Sequence, residues 1–375
     1  MNNKSKAFWC IAVAFLLAIL TLAGCGGGRV VSEDKSTVAV YTYAGKGGVE
    51  ISAVSAVLYD AESGRVLFAH NCNSELPMAS TTKIMTAVIA LEYGDMQAET
   101  VITREAVNVE GSSIYLSEGE RFTQEELLYA LLLESGNDAA VALAIAVAGS
   151  TDAFVQLMNE KALSLGLTST RFANPHGLSA EGHYTTAKEL AAITAYALRL
   201  DGFVKVASTV SAKIEGDGHL PRYLMNHNKL LRSYEGLIGV KTGYTLAAGR
   251  CLVTAARRAG MTLIAVTLND RNDWHDHTEM LDYGFSAFRM ETVYTAKELV
   301  AVPIISGKKG STVACCEDDV RICTPTDSTI TKLYVTDAVN APVQKGEAIA
   351  ALKIFENGTL IKEIPLFACH NVARK

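Results

Sequence analysis

Met78-Ala79-Ser80-Thr81-Thr82-Lys83-Ile84-Met85-Thr86-Ala87 sets a hydroxyl and an amine three residues apart at the head of an apolar run that continues to Leu91. Residues three apart on a helix share a face, so a helix starting near Ser80 lets the Lys83 amine reach the Ser80 hydroxyl. Serine attacks a carbonyl only when a base removes its proton, and a lysine serves once burial or a nearby cation lowers its pKa. A helix N-terminus also favours negative charge developing on the reacting oxygen. Two later motifs supply what such a site still lacks. Ser135-Gly136-Asn137 brings a proton shuttle and an amide that orients the amine. Lys241-Thr242-Gly243 brings a cation and a hydroxyl for an anionic substrate group.

S-x-x-K and S-x-N each arise about once by chance in a chain of this length, whereas K-T-G is expected only about 0.1 times. It is the ordered set that carries information. The three motifs, with Asn174-Pro175-His176-Gly177-Leu178 and Gly182-His183-Tyr184-Thr185-Thr186-Ala187, resemble the D-alanyl-D-alanine carboxypeptidase family of penicillin-binding proteins. The resemblance runs from about Ala53 to the end of the chain. It implies an α+β catalytic domain of the serine β-lactamase/transpeptidase type, an antiparallel sheet with a helical subdomain, followed by a small all-β domain. It also implies a mechanism. Ser80 is acylated by stem peptides ending in D-Ala-D-Ala, Lys83 is the base, and Ser135 passes a proton to the departing D-alanine. Asn137, Lys241, Thr242, Gly243 and Tyr244 bind substrate, the oxyanion lying between the backbone N–H groups of Ser80 and Tyr244. β-Lactams are the expected inhibitors, and no cofactor or metal is required.

The local patterns agree with that architecture. Val54 to Asp60 and Arg65 to His70 alternate around Asp60-Ala61-Glu62-Ser63-Gly64, a hairpin signal. Thr123-Gln124-Glu125-Glu126 reads as a capping box, with helices either side of Ser135 and another from Asp152. Leu252–Ala256 and Thr262–Leu268 read as strands, and Trp274 to Phe288 as a helix closing a catalytic domain over residues 51–289. From residue 290 short alternating runs replace helices, and Asn357-Gly358 is the strongest hairpin signal in the chain.

The first 24 residues read as an export signal: Lys4 and Lys6, an apolar run from Ala7 to Leu22, then Leu22-Ala23-Gly24-Cys25. The last four resemble a bacterial lipobox, implying lipid attachment at Cys25, a linker over residues 25–50 and anchoring to the outer face of the cytoplasmic membrane. Loss of Lys4 and Lys6 takes the formal charge from −6 to −8, so no basic nucleic-acid surface is expected. Cys72, Cys251, Cys315, Cys316, Cys323 and Cys369 fit no zinc pattern; a Cys315–Cys323 disulfide and buried free thiols are equally open. His176 and His183 are secondary site candidates, and Arg271 is one for the substrate carboxylate. Asp273, His275, Asp276 and His277 read as a solvated helix start rather than a metal site.

Two rivals share the motifs. A serine β-lactamase of the closest class requires a glutamate four residues before an asparagine; opposite Asn174 that position holds Thr170. A non-catalytic peptidoglycan- or penicillin-binding lipoprotein would have no use for the nucleophile.

Overall fold

The computed structural model describes residues 49–217 and 220–375. The expected export signal, Cys25 and all but the last two residues of the expected linker lie outside the described residues. Strands β1 (Ser55–Asp60) and β2 (Val66–His70) form the predicted hairpin. The Asp60 carboxylate shapes its turn by accepting from the Ser63 N–H at 2.8 Å and the Ser63 hydroxyl at 2.6 Å. A single tight turn, Ala79–Thr82, then leads into helix α1 (Lys83–Tyr93). The short pair β3 (Glu99–Val101) and β4 (Arg121–Thr123) precedes α2 (Gln124–Leu133).

The capping box at Thr123 is present, with the Thr123 hydroxyl accepting from the Glu126 N–H and the Glu126 carboxylate from the Thr123 N–H. Next come α3 (Asn137–Ala148), α4 (Thr151–Ser164), α5 (Ala187–Ala197) and α6 (Asp201–Ala207). The hairpin β5 (Ser211–Ile214) and β6 (Arg222–Met225) is followed by three long strands: β7 (Leu237–Thr245), β8 (Gly249–Arg258) and β9 (Met261–Asp270). Helix α7 (Asp273–Ala287) closes the domain.

The main sheet is antiparallel in the order β2-β1-β9-β8-β7. Strand side chains alternate between faces, and the core divides accordingly. Val57, Val253 and Val266 join the helical subdomain on one face, while Leu58, Leu263 and Ala265 meet Met280 and Leu281 of α7 on the other. Helix α1 is buried over eight of its eleven residues, as a helix that is apolar all round must be. Strand β7 is left at the sheet edge beside the Ala79–Thr82 turn.

The C-terminal part is all β: β10 (Phe288–Tyr294), β11 (Val300–Ile305), β12 (Ser311–Cys315), β13 (Val320–Pro325), β14 (Ile330–Val335), β15 (Val339–Asn340), β16 (Ala348–Glu356) and β17 (Thr359–Ala368). Its six-stranded sheet, β14-β16-β17-β12-β11-β15, is antiparallel except for β15, which runs parallel to β11. Asn357 (φ 49°) and Gly358 (φ 81°) make the predicted tight turn between β16 and β17. Arg65 ties the β1–β2 turn to this domain by a bidentate pair with Glu356 (2.7 and 2.9 Å) and a bond to the Cys323 carbonyl at 2.9 Å.

Two expectations change. Cys323 is buried against Met261, and Cys315 lies beside Cys369 instead, so no Cys315–Cys323 bridge exists. Of the four residues expected in solvent at the α7 start only His275 is exposed: Asp273 pairs with Arg250, Asp276 accepts from Ser52, and the His277 ring lies between Thr254 and Thr267. The first turn of α7 presses onto the sheet, and the ring nitrogens of His277 are taken up by strand hydroxyls. Among the described residues no single helix is long and apolar enough to cross a membrane.

Candidate active site

Ser80 sits on the single turn that opens α1, and Lys83 is the first residue of that helix. The Lys83 side chain is fully buried, and its Nζ lies 3.1 Å from Ser80 Oγ, 2.6 Å from Asn137 Oδ1 and 2.6 Å from the His176 carbonyl oxygen. A neutral amine has two hydrogens and one lone pair. The amide and carbonyl oxygens can only accept, so they take both hydrogens, and the lone pair is left facing the one partner able to donate, the Ser80 hydroxyl. Burial, reinforced by the charge of Lys241, pulls the Lys83 pKa well below its ordinary value, which favours that neutral state.

Three neighbouring segments build this contact. Asn137 starts α3, its N–H donating to the Ser112 carbonyl at 2.7 Å and its side-chain amide to the Glu110 carbonyl at 2.5 Å. Asp138, also buried, accepts from Ser113 Oγ (2.6 Å) and from the N–H groups of Ile114 (3.0 Å) and Leu116 (3.1 Å). The loop over residues 110–116 is thereby fixed to the helix that carries Asn137. The third segment is the loop over residues 174–178. Asn174 shapes it by accepting from the Gly177 N–H at 2.7 Å, and Thr86 of α1 donates to the Pro175 carbonyl at 2.5 Å. A Cβ on Gly177, where φ is +95°, would stand 2.0 Å from the Ala79 carbonyl oxygen, so only glycine lets this loop pack on the nucleophile turn.

His183 joins the same pieces. Its Nδ1 accepts from the Ala173 N–H at 3.0 Å, which leaves Nε2 protonated to donate to Thr82 Oγ1 at 2.8 Å. Burial pulls the pKa values of His176 and His183 down to about 4, so both rings are neutral at physiological pH. The hydrogen bond from Lys83 goes to the His176 backbone carbonyl.

Ser135 lies between α2 and α3 with φ +60°, a costly conformation for a residue with a side chain. It is buried, and the three partners of Lys83 do not include its hydroxyl. Lys241 on β7 is buried too, with Nζ bonded to the Thr242 carbonyl at 2.9 Å. Burial lowers its pKa to about 7, partly countered by Glu134. Gly243 lies against the nucleophile turn: a Cβ there would be 3.0 Å from the Ser80 nitrogen. Tyr244 is exposed beside it. The Ser80 N–H, at the first turn, has no acceptor within its helix. Arg271 is exposed on the turn before α7, and Thr170 is buried with its hydroxyl donating to Glu189 at 2.6 Å. Among the described residues no carboxylate bonds to Ser80 or Lys83. The sequence motifs missed the His176 carbonyl and Asp138; a backbone oxygen has no signature, but Asp138 directly follows the second motif.

The chain matches the family model described as D-alanyl-D-alanine carboxypeptidase over residues 41–272 and that of the penicillin-binding protein 5 C-terminal domain over residues 288–374. It is 34% identical over 331 residues to the D-alanyl-D-alanine carboxypeptidase DacF of Bacillus subtilis, spanning 84% of this chain and 85% of that protein. Penicillin-binding protein 5 of Haemophilus influenzae superposes with a TM-score of 0.80 at 26% identity, over 88% of this chain and all of that one. A variant of the Streptomyces K15 DD-transpeptidase superposes with a TM-score of 0.59 at 33% identity, over 63% of this chain and 98% of that one. On these matches and on the site they coincide with, the chain belongs to the D-alanyl-D-alanine carboxypeptidase family.

Proposed function

We propose that this chain is a serine carboxypeptidase that removes the terminal D-alanine from peptidoglycan stem peptides through an acyl-enzyme on Ser80. The observation that carries the reading is the buried Lys83 amine, which faces the Ser80 hydroxyl while its hydrogens are engaged elsewhere. Lys83 takes the Ser80 proton as Oγ bonds to the carbonyl carbon of the penultimate D-alanine. The developing oxyanion lies between the N–H groups of Ser80 and Tyr244, each such donor lowering the barrier by about 3 kcal/mol. The C–N bond breaks as a proton passes through Ser135 to the departing amine. Water then hydrolyses the ester, and its proton leaves by the same Lys83.

Strand β7 contributes in two ways. Its free edge offers backbone groups to an extended peptide. The buried Lys241 ammonium, with hydrogens to spare, pairs with the terminal carboxylate, and Thr242 hydrogen-bonds it. A bound carboxylate restores the positive charge that burial disfavours.

β-Lactams present the same amide to Ser80. The position that a β-lactamase of the closest class fills with a carboxylate is occupied by Thr170, whose hydroxyl is committed to Glu189. A penicilloyl ester should therefore persist. With nitrocefin, a burst of about one equivalent per enzyme followed by slow turnover is the expected result; rapid multiple turnover would favour the β-lactamase reading.

The leader and the Leu22-Ala23-Gly24-Cys25 stretch support export and lipid anchoring at the outer face of the cytoplasmic membrane. One acyl chain holds a protein only marginally, so stable anchoring at Cys25 needs a diacylglyceryl group. Labelled palmitate should enter wild-type protein and not Cys25→Ala; equal labelling of the two would refute the anchor.

A further inference from the structure

We infer that Cys315 and Cys369 form a disulfide that staples strand β12 to the segment following β17. Four of the six cysteines in the described residues are committed to packing. Cys72 and Cys251 belong to the main catalytic core, and Cys323 to the core beneath α7. Cys316 packs against the β-domain core, and its N–H donates to the Tyr294 hydroxyl at 3.1 Å. Cys315, the last residue of β12, is not part of that core, and its sulfur lies beside Cys369.

Backbone pairing brings Cys369 to it from 54 residues away. Ala314 pairs with Ala368, and the Cys369 N–H donates to the Val313 carbonyl at 2.9 Å. The two sulfurs are in direct contact, and both residues are half-buried, so a small oxidant can reach them.

The chemistry is thiol–disulfide exchange with a low-molecular-mass disulfide or a dithiol oxidoreductase. One cysteine thiolate attacks the oxidant's S–S bond and expels a thiolate. The second attacks the mixed disulfide, forming the Cys315–Cys369 bond and expelling the other half. Two protons leave the protein thiols, and the oxidant is reduced to two thiols. Burial and the Cys315 sulfur push the Cys369 thiol up to about 11, so exchange should quicken as pH rises. The bridge would hold the last residues, Val372 and Arg374, which pair with Val343 and Gly307.

The test is a non-reducing tryptic map of the purified full chain after exposure to oxidised glutathione. Trypsin releases Cys315 in the peptide 310–321 and Cys369 in 363–374. A linked pair of these peptides is expected in wild type and in Cys316→Ser, and not in Cys315→Ser or Cys369→Ser. Penicillin labelling of each variant checks that it is folded. The oxidised wild type should melt about 5 °C or more above its reduced form, a difference absent in Cys369→Ser. The inference is overturned if both peptides stay unlinked, if the link runs through Cys316, or if the reduced thiols instead bind zinc stoichiometrically.

Discussion

Ser80→Ala should abolish D-alanine release from a stem pentapeptide, lowering kcat by at least about 10⁴-fold, with no β-lactam adduct formed. The loss is this large because nothing else in the pocket can take the acyl group. Lys83 faces Ser80, and the hydroxyl of Thr82 is occupied by His183 and the Ala79 carbonyl. The substitution removes one oxygen from a residue whose turn is held by backbone and threonine contacts. Circular dichroism and melting temperature should therefore match wild type. A variant that keeps substantial activity would show that the acyl group is carried elsewhere.

Lys83→Gln should lower the acylation rate by about 10²- to 10⁴-fold, the usual worth of a positioned general base. Its effect on stability should run the other way. A lysine whose folded pKa lies below the unfolded value of 10.5 binds fewer protons folded than unfolded. Its contribution to stability is therefore unfavourable at neutral pH and improves as pH rises from the folded pKa toward 10.5. Glutamine can still donate toward Asn137 and His176 and carries no charge to bury. The variant should melt no lower than wild type at pH 7 while acylating far more slowly. A variant that unfolds instead would make Lys83 structural.

The pH profile separates the two lysines. In wild type, kcat/KM should gain from loss of the Lys83 proton, whose pKa burial and Lys241 lower from its ordinary value. The protein should lose activity as Lys241 gives up its proton in the free enzyme, at about 7. In Lys83→Gln the dependence on the Lys83 titration disappears and the loss at about 7 remains. Loss of both dependences, or of neither, would contradict this division of labour.

Much of the fold was legible because its signals are local. The capping box at Thr123, the alternation around Asp60–Gly64 and the Asn357-Gly358 turn each depend on residues a few positions apart. The three motifs were legible for a related reason: side-chain chemistry at fixed spacing is visible even when its partners are distant. What sequence could not supply was tertiary. The third partner of Lys83 is a carbonyl oxygen, which any residue at position 176 would provide. The need for glycine at 177 arises from a loop pressed against Ala79, nearly a hundred residues earlier. The α7 start looked solvated because charged residues crowd it; burial between strand threonines was decided by how α7 lies on the sheet. Cys315 found Cys369 rather than Cys323 because strand order, not sequence distance, sets neighbours.

The central claim is that an amine made neutral by its surroundings activates Ser80 for acylation. Its most direct test is to expose the full chain to benzylpenicillin near neutral pH and map the adduct by mass spectrometry. The account expects one stable penicilloyl group, on Ser80, with negligible labelling of Lys83→Gln over the same interval. An adduct on another residue, or none on a protein that still releases D-alanine, would contradict it.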